Sequence, residues 1–530
     1  MLKSSIVKKS GALRAMLLAG AMAVPSMALA GEVTLKSSDG TVNLVGEFVS
    51  FEDNSYVIRT GLGELRVSAE RVRCEGADCP EFDVATADVV IAGSDTLGLG
   101  MMPLLLQGWA AYQDADAVLT STAQKGEVLA ELVGDQGFGD PMGSYLVSAT
   151  VSSDAFRKLL DGSTEIGMAS RRIRPAEARA LRDSGAGNMV SANQEHIVAV
   201  DSLVVIVHPD NPVSTLRMDQ LAGIYSGQIK NWSEVGGPDA PISLFDRSQG
   251  SGTRAVMANA IFGENRDLAP NAQVMNDNSE MASAVNNDPN AIGFVGYAFQ
   301  RGAKAVSLVN ECGLTMTPDS FSARTEEYAL QRRLYLYTRA DTLSDSAQAL
   351  LDYAKSDEAD EVIQKAGFIG LGIDKRPQPL NGDRARMLLD PTVDAFEGGV
   401  MREMLGKMVD YDRLSSTFRF TTGSSRLDER ARLDMARLAS YLKRKPDGTK
   451  VLFVGFTDDV GAFQSNRELS KRRAEQVMDE LLAVAGDGLN GLELDSTGYG
   501  EIAPSACNLS EEGRRINRRV EVWVSQTDNL

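Results

Sequence analysis

Asp246-Arg247-Ser248-Gln249-Gly250-Ser251-Gly252-Thr253-Arg254 runs directly into Ala255-Val256-Met257-Ala258-Asn259-Ala260-Ile261-Phe262. The second segment predicts a helix, so the first is the loop at its N-terminus. Two glycines let backbone N–H groups approach a ligand closely. Ser251 and Thr253 supply hydroxyls, and the aligned peptide dipoles favour negative charge at the helix start. Arg247, four residues before Ser251, adds a planar fork of donors suited to a tetrahedral oxyanion. A Gly/Ser turn at a helix start is common on its own; the surrounding sequence strengthens the anion-binding reading.

Residues 88–375 alternate buried-strand runs with helices. Val89-Val90-Ile91-Ala92 leads into Gly93-Ser94-Asp95-Thr96-Leu97-Gly98 and an apolar helix reaching Tyr112. The strand at 147–151 leads into Ser152-Ser153-Asp154, a cluster of N-cap residue types. Glu165-Ile166-Gly167-Met168-Ala169 ends at Ser170-Arg171-Arg172. Thr96, Leu97, Ser152, Ser153, Ser170 and Arg171 therefore fall where strands end and helices begin, and open α/β sheets bind ligands there. Each hydroxyl alone reads as a simple cap; their recurrence beside the Arg247 loop favours a shared site.

The N-terminus reads as a secretory leader over 1–30. Lys3, Lys8, Lys9 and Arg14 precede an apolar stretch, and Ala28-Leu29-Ala30 supplies the small-x-small cleavage pattern. No Cys follows it to carry a lipid, and no later segment has the apolar length of a membrane span. With 43% hydrophobic and 24% charged residues, the remainder can bury ordinary globular cores, and 530 residues are enough for several domains. Net charge is −19, falling to −23 once the four basic leader residues are removed. That argues against nucleic acid or anionic lipid as partners, and any anion site must work through local donors against the overall field. Cys74 and Cys79 enclose a short loop and read as a disulfide contributing about 2 kcal/mol. Cys312 and Cys507 are left unpaired. His196 and His208, the only histidines, read as structural, so neither a metal nor another cofactor is expected.

Residues 31–87 show short alternating strands (Asn43 to Val49, Tyr56 to Arg59, Glu64 to Val67) broken by turn residues such as Ser38-Asp39-Gly40, and predict a small β-domain. Residues 376–410, with Arg376-Pro377-Gln378-Pro379 and Pro391, read as a linker that spans at most about 120 Å. Such a reach would let the preceding domain roam from an anchor. In 411–530, Leu427, Ala431, Met435, Leu438 and Leu442 mark one helix face, and Ala474, Val477, Met478 and Leu481 mark another. Val520, Val522 and Val524 alternate as a strand. Asp458 falls at a strand end and Arg473 on the next helix, a pair able to grip a zwitterionic amino acid or to form a plain surface ion pair.

Residues 88–375 resemble the PstS-like phosphate-binding proteins of ABC transporters. The matching segments include the Arg247 loop, Asp201-Ser202-Leu203-Val204-Val205-Ile206-Val207, Ile224-Tyr225-Ser226-Gly227, Ala291-Ile292-Gly293-Phe294-Val295-Gly296-Tyr297 and Leu334-Tyr335-Leu336-Tyr337. The resemblance implies a two-lobed periplasmic-binding-protein fold, with phosphate contacts from Thr96, Leu97, Ser152, Arg247, Ser251, Gly252 and Thr253. Several members carry an Asp directly after the Ser that matches Ser170, where it accepts a proton-bearing oxygen and rejects sulfate. Arg171 stands there in this chain, and Asp95 is the candidate replacement. Gln249 occupies a position often acidic in the family, which weakens the expected carboxylate support for Arg247.

Residues 415–525 resemble the OmpA-like peptidoglycan-binding domain, an α+β fold, through Thr457-Asp458-Asp459-Val460-Gly461, the run from Asn466 to Ala474 and Asn517-Arg518-Arg519. The resemblance implies that Asp458 holds the ammonium and Arg473 the carboxylate of diaminopimelate. It further implies that Asn466, Leu469 and Ser470 shape the site and that Arg519 supports it.

The sequence thus predicts a multidomain α/β protein of the Gram-negative periplasm, anchored non-covalently to peptidoglycan. It would bind phosphate or a related oxyanion and serve an ABC transporter permease. The alternative is a wall-anchored adaptor or sensor, with a partner bound through residues 31–83. Nothing resembles a nucleophile elbow, a Walker loop or a catalytic base beside Ser251, so no enzyme is expected. Asn276-Asp277-Asn278-Ser279-Glu280 lacks the glycine and terminal glutamate of a calcium loop and reads as a solvated turn.

Overall fold

The computed structural model describes residues 32–526, except 37–42, 53–54, 69–71, 77–78, 80–86, 263–268, 270, 390–393, 421–426 and 428. The leader, the Ser38-Asp39-Gly40 turn and Pro391 lie outside the described residues. The chain forms two compact units, Met1–Asp83 and Val84–Leu530.

The first unit is a five-stranded antiparallel sheet ordered Gly63–Ser68, Ser55–Thr60, Asn43–Glu52, Glu32–Lys36, Arg73–Glu75. Alternation places Tyr56 and Ile58 inward beside Val33, Leu35 and Val72. Cys74 and Cys79 are disulfide-bonded and pack against this small core.

The second unit is built on an 11-stranded mixed sheet. Edge to edge its path runs Gln273–Met275, Ser243–Arg247, Ala291–Gly296, Glu195–Val207, Gln331–Thr338, Ile166–Ala169, Val89–Ser94, Pro141–Thr150, Glu127–Val133, Ala115–Ser121, and Lys304–Ala305 pairs beside Glu195–Val207. The 13-residue strand Glu195–Val207 is buried throughout, as its near-continuous apolar sequence requires. Its first half pairs with Gln331–Thr338 and its second half with Ala291–Gly296. These strands therefore join two lobes. Lobe one holds Val89–Ser94, Ile166–Ala169 and Pro141–Thr150; lobe two holds Ser243–Arg247, Gln273–Met275 and Ala291–Gly296. Within each lobe these strands run parallel, so their C-terminal ends converge on one cleft.

The C-terminal portion adds a five-stranded sheet ordered Lys375–Arg376, Tyr411–Arg419, Arg519–Ser525, Lys450–Gly455, Glu493–Gly498. Helices Glu429–Lys443 and Phe463–Ala485 cover one face through Leu438, Leu442, Val477 and Leu481 against Val451, Phe453 and Val522. The helical periodicity seen in the sequence is the pattern that buries these side chains.

Two sequence expectations fail here. Residues 376–410 are not a free linker. Lys375–Arg376 is an edge strand of the C-terminal sheet, and helix Ala395–Asp410 buries Val400, Met401, Met404 and Met408 on the other sheet face against Leu452, Phe456 and Trp523. Cys312 and Cys507, unpaired in the sequence reading, are joined by a disulfide that ties lobe two to the C-terminal domain. Buried charges line the same junction. Arg413 donates to both carboxylate oxygens of Glu327 at 3.1 and 2.7 Å, and Ser505 donates to Glu327 at 2.7 Å. Glu326 accepts from Arg419 and Arg515, each at 3.1 Å. Burial pushes the Glu327 carboxyl up, but the Arg413 guanidinium outweighs it and holds the pKa at about 2. Among the described residues no helix is long and apolar enough to cross a membrane.

The Cys312–Cys507 bond closes a loop of 195 residues. By the chain-entropy relation, the pair Cys312→Ser/Cys507→Ser should lose up to about 5 kcal/mol of unfolding free energy, read by denaturant titration. The Glu327 contribution is complete above the ordinary glutamate pKa of 4.5 and disappears as pH falls through about 2. In the doubly substituted protein, junction amides should therefore exchange faster as pH is lowered from about 5 toward 2, beyond the trend of distant amides.

Candidate functional site

The cleft is closed, with side chains of the two lobes in direct contact. From lobe one, Val89–Ser94 delivers Ser94, Asp95 and Thr96, and helix Ser152–Asp161 begins with Ser152 and Ser153. Ile166–Ala169 delivers Ser170. Ser94 Oγ donates to Ser170 Oγ at 3.0 Å, and the Ser152 and Ser170 hydroxyls lie 3.1 Å apart. From lobe two, strand Ser243–Arg247 ends at Arg247, and helix Gly252–Phe262 begins with Gly252 and Thr253. Ser251 is buried, and its hydroxyl accepts the Arg254 amide at 3.3 Å. Ser153 reaches across the cleft, donating from Oγ to the Gly250 carbonyl at 3.2 Å. Thr96 Oγ1 lies 3.5 Å from Thr253 Oγ1.

Gly252 sits where a side chain would not fit. A Cβ there would lie 2.3 Å from Ser152 Oγ and 2.4 Å from Ser170 Oγ. The lobe-two helix start therefore approaches the lobe-one hydroxyls along its bare backbone.

Arg247 is a fully enclosed cation of the cleft that meets both lobes. Its Nη2 lies 3.1 Å from Asp95 Oδ2 of lobe one and donates to the Asn276 carbonyl at 3.0 Å, and its Nε donates to the Met275 carbonyl at 3.2 Å. Its Nη1 is buried without a hydrogen-bond partner. Asp95 also accepts from the Asn278 backbone and side-chain amides, at 3.2 and 2.8 Å. The carboxylate support that Gln249 cannot give Arg247 thus comes from Asp95 on the opposite lobe.

Other assigned residues take different places. Leu97 is wholly buried in the lobe-one core, which leaves its backbone at the start of the short helix Asp95–Gly100. Arg171 turns to Glu177, donating to both carboxylate oxygens at 2.8 and 2.6 Å, and stacks 5.1 Å from the Phe156 ring centroid. The segment read as a solvated turn is corrected. Asn278 is buried, opens helix Asn278–Asn287 with Asp277 as N-cap, and donates to Thr96 Oγ1 at 3.1 Å. An Asx-rich run can cap a helix as readily as solvate a turn, and its residue types alone do not separate the two.

In the C-terminal domain, Asp458 follows Lys450–Gly455 and Arg473 lies on Phe463–Ala485. Arg473 is buried, its Nε and Nη1 have no hydrogen-bond partner, and burial pulls its pKa down against the pull of Asp458. Asn466 Nδ2 donates to the Asp458 carbonyl at 3.4 Å and to Glu501 at 2.5 Å. Ser470 Oγ donates to the Arg467 carbonyl and accepts the Gly500 amide, at 2.7 and 3.0 Å, while Leu469 is half-buried one position earlier. The Asp458 carboxylate is bound by Arg518 at 2.7 Å, a residue quoted in the sequence motif but given no role. Arg519 lies in the core, donating to Glu521 at 2.8 Å and packing 4.0 Å from the Phe456 ring centroid.

A family model described as the PBP superfamily domain matches residues 83–358, just over half of the chain. The chain belongs to the PBP superfamily. An OmpA family model matches residues 419–518, so the PBP-superfamily domain is followed by an OmpA-family domain. It is similar to the phosphate-binding protein PstS of Bacillus subtilis, 26% identical over 249 residues, covering 46% of this chain and 77% of that protein. The Borreliella burgdorferi phosphate-binding protein PstS is 26% identical over 185 residues, or 34% of this chain and 66% of the relative. The chain therefore spans about two thirds of that relative's length. Among solved structures, a phosphate-bound putative phosphate ABC transporter substrate-binding protein from Clostridium perfringens aligns with a TM-score of 0.42 at 24% identity, over 53% of this chain and 98% of that one. The C-terminal domain of Helicobacter pylori MotB aligns with a TM-score of 0.19 at 34% identity, over 21% of this chain and 86% of that one.

In this PBP-superfamily chain Gly252→Ala should hold the lobes apart. Its methyl group meets two buried hydroxyls, and turning those aside would break the Ser152–Ser170 hydrogen bond and still leave Ser152 Cβ 3.1 Å away. Amides of helix Gly252–Phe262 and of the Ser152 turn should lose hydrogen-exchange protection by at least about tenfold, while the C-terminal sheet keeps its own.

Proposed function

We propose that the chain is a phosphate-binding receptor of the bacterial envelope, held non-covalently to peptidoglycan, that hands phosphate to an ABC import permease. The observation that carries this reading is the unpartnered, buried Arg247 Nη1 beside Asp95. A buried guanidinium N–H without an acceptor costs free energy, and an oxyanion in the cleft would satisfy it. Thr96, Ser152, Ser153, Ser170, Arg247, Ser251, Gly252 and Thr253 make up the proposed site, with Leu97 contributing its backbone. Helix Gly252–Phe262 adds its N-terminal dipole, and the site contains few full charges, which suits release to a permease. Arg171, bound to Glu177, is assigned the support of the Ser170 turn.

Discrimination is assigned to Asp95. Phosphate at neutral pH carries a proton that a carboxylate can accept, whereas sulfate offers only lone pairs against it. The PstS names of the relatives and the OmpA family match support the phosphate and wall assignments. In the C-terminal domain Asp458 would take the ammonium and Arg473 the carboxylate of diaminopimelate, with Asn466, Leu469 and Ser470 as walls. Arg518 aligns Asp458, and Arg519 supports the fold beneath it. A sensor or adaptor reading draws on one observation. The wall-binding domain is fixed to lobe two by the Cys312–Cys507 bond rather than hung on a flexible tether.

Arg247→Ala should weaken phosphate binding by about 2–5 kcal/mol in calorimetric titration, as for other truncated buried charge pairs. Unchanged affinity would remove the site assignment. Asp95→Asn, which keeps the shape and turns an acceptor oxygen into a donor, should narrow the phosphate-to-sulfate affinity ratio at least tenfold. An unchanged ratio places discrimination elsewhere. Arg473→Ala and Asp458→Ala should each abolish co-sedimentation with purified diaminopimelate-containing sacculi while leaving phosphate titration unaltered. Retained co-sedimentation would contradict the wall assignment.

A further inference from the structure

We propose that Arg332 is the positioning residue of the cleft. Gripped by Asp201, it would aim the Thr96 and Thr253 hydroxyls at the bound anion and clasp the two lobes. The inference rests on the phosphate reading above and concerns residues to which neither motif nor family match gives a role. Arg332 lies on Gln331–Thr338 and Asp201 on Glu195–Val207, the strands shared by both lobes. Both side chains are almost wholly buried. Arg332 Nε and Nη2 donate to Asp201 Oδ2 at 2.9 and 2.6 Å, while Asp201 Oδ1 accepts the Tyr297 amide at 3.1 Å. The backbone of Gly296 closes over this pair: a Cβ there would lie 2.8 Å from Asp201 Oδ2 and 3.1 Å from Arg332 Nη2.

The remaining donors of Arg332 divide between the lobes. Nη1 donates to Thr253 Oγ1 of lobe two at 2.7 Å, and Nη2 donates to Thr96 Oγ1 of lobe one at 3.3 Å. Asn278 Nδ2 donates to the same Thr96 oxygen at 3.1 Å.

Guanidinium and amide N–H groups only donate, and a hydroxyl oxygen has two lone pairs and one hydrogen. Thr96 Oγ1 therefore spends both lone pairs on Arg332 and Asn278, and its hydrogen must point away from them. Thr253 Oγ1 is likewise fixed as an acceptor from below. The Thr96 hydrogen can turn to Thr253 Oγ1, 3.5 Å away; an anion in the cleft would take it over, so both hydroxyls would serve as donors and Asp95 as the acceptor of the set. Asp201 cancels the Arg332 charge, so the pair contributes direction rather than field. Opening the lobes would separate Thr96 from Thr253 and cost Arg332 one of its two partners.

The test is a double-mutant cycle read by phosphate calorimetry on the full-length chain. Arg332→Gln with Asp201→Asn replaces the ion pair by two amides and leaves no lone buried charge. Thr253→Val keeps the shape of the threonine and removes its hydroxyl. Thr253→Val should weaken phosphate binding about tenfold in the otherwise native chain, the worth of a hydrogen bond to a charged ligand, and less than about twofold in the paired background. Equal losses in both backgrounds overturn the proposal, as does a negligible loss in the native chain. Arg332→Lys supplies a second background should the paired variant not fold. Its ammonium keeps the charge with Asp201 but lacks the span to hold both threonines, and the same non-additivity is expected. A native chain that fails to bind phosphate removes the cleft reading itself. A native chain that binds, with an additive cycle, removes only the role of Arg332.

Discussion

The rest of the cleft depends on the buried ion pair between Arg247 of one lobe and Asp95 of the other, 3.1 Å apart. A charge buried alone is costly enough that each side chain requires the other in place, and the pair spans the gap on which the strand ends converge. With that contact made, Asn278 is drawn onto Asp95 and Thr96, and Gly252 comes to rest against Ser152 and Ser170. The guanidinium retains one unused donor nitrogen, and the Thr96 and Thr253 hydroxyls are held by groups that only donate. Closure and the proposed anion recognition are then two consequences of one arrangement.

The C-terminal domain applies a related device at a different place. Glu326 and Glu327 leave lobe two just before strand Gln331–Thr338 and are met by Arg413, Arg419 and Arg515. Arg518 and Arg519 follow directly in sequence, one bound to Asp458 and the other buried in the sheet. A single run of chain thus carries the junction with lobe two, the support of Asp458 and a core strand. The Met-rich helix Ala395–Asp410 fills the back of the same sheet, so this part of the segment between the two domains is packed structure.

Much of this was legible in the residues. The Arg247 loop, the strand ends at Thr96, Ser152 and Ser170, and the helical faces at Leu438 and Val477 are local patterns, in which side-chain period or turn chemistry fixes the outcome. What escaped depends on pairings between distant positions. Asp95 and Arg247 are far apart in the chain, Arg332 bonds to Asp201 from the neighbouring shared strand, and Cys312 meets Cys507 across 195 residues. The connector misled because Pro377, Pro379 and Asn381-Gly382 mark turns, while the apolar face that makes Ala395–Asp410 pack is carried by methionines and a single valine and is interrupted by Gly398-Gly399. Arg171 was placed in the site by its neighbour Ser170, yet its length lets it reach Glu177 instead.

In the proposed reading the closed cleft takes phosphate through neutral hydroxyl and backbone donors, the Arg247 guanidinium and one acceptor carboxylate, that of Asp95. Calorimetric titration of the ligand-stripped full-length chain with phosphate, and then with sulfate, tests it most directly. Saturable one-site binding of phosphate is expected, with at least about a hundredfold weaker binding of sulfate, a difference of about 2.7 kcal/mol. Absence of phosphate binding at millimolar concentration, or equal affinity for the two anions, would contradict it.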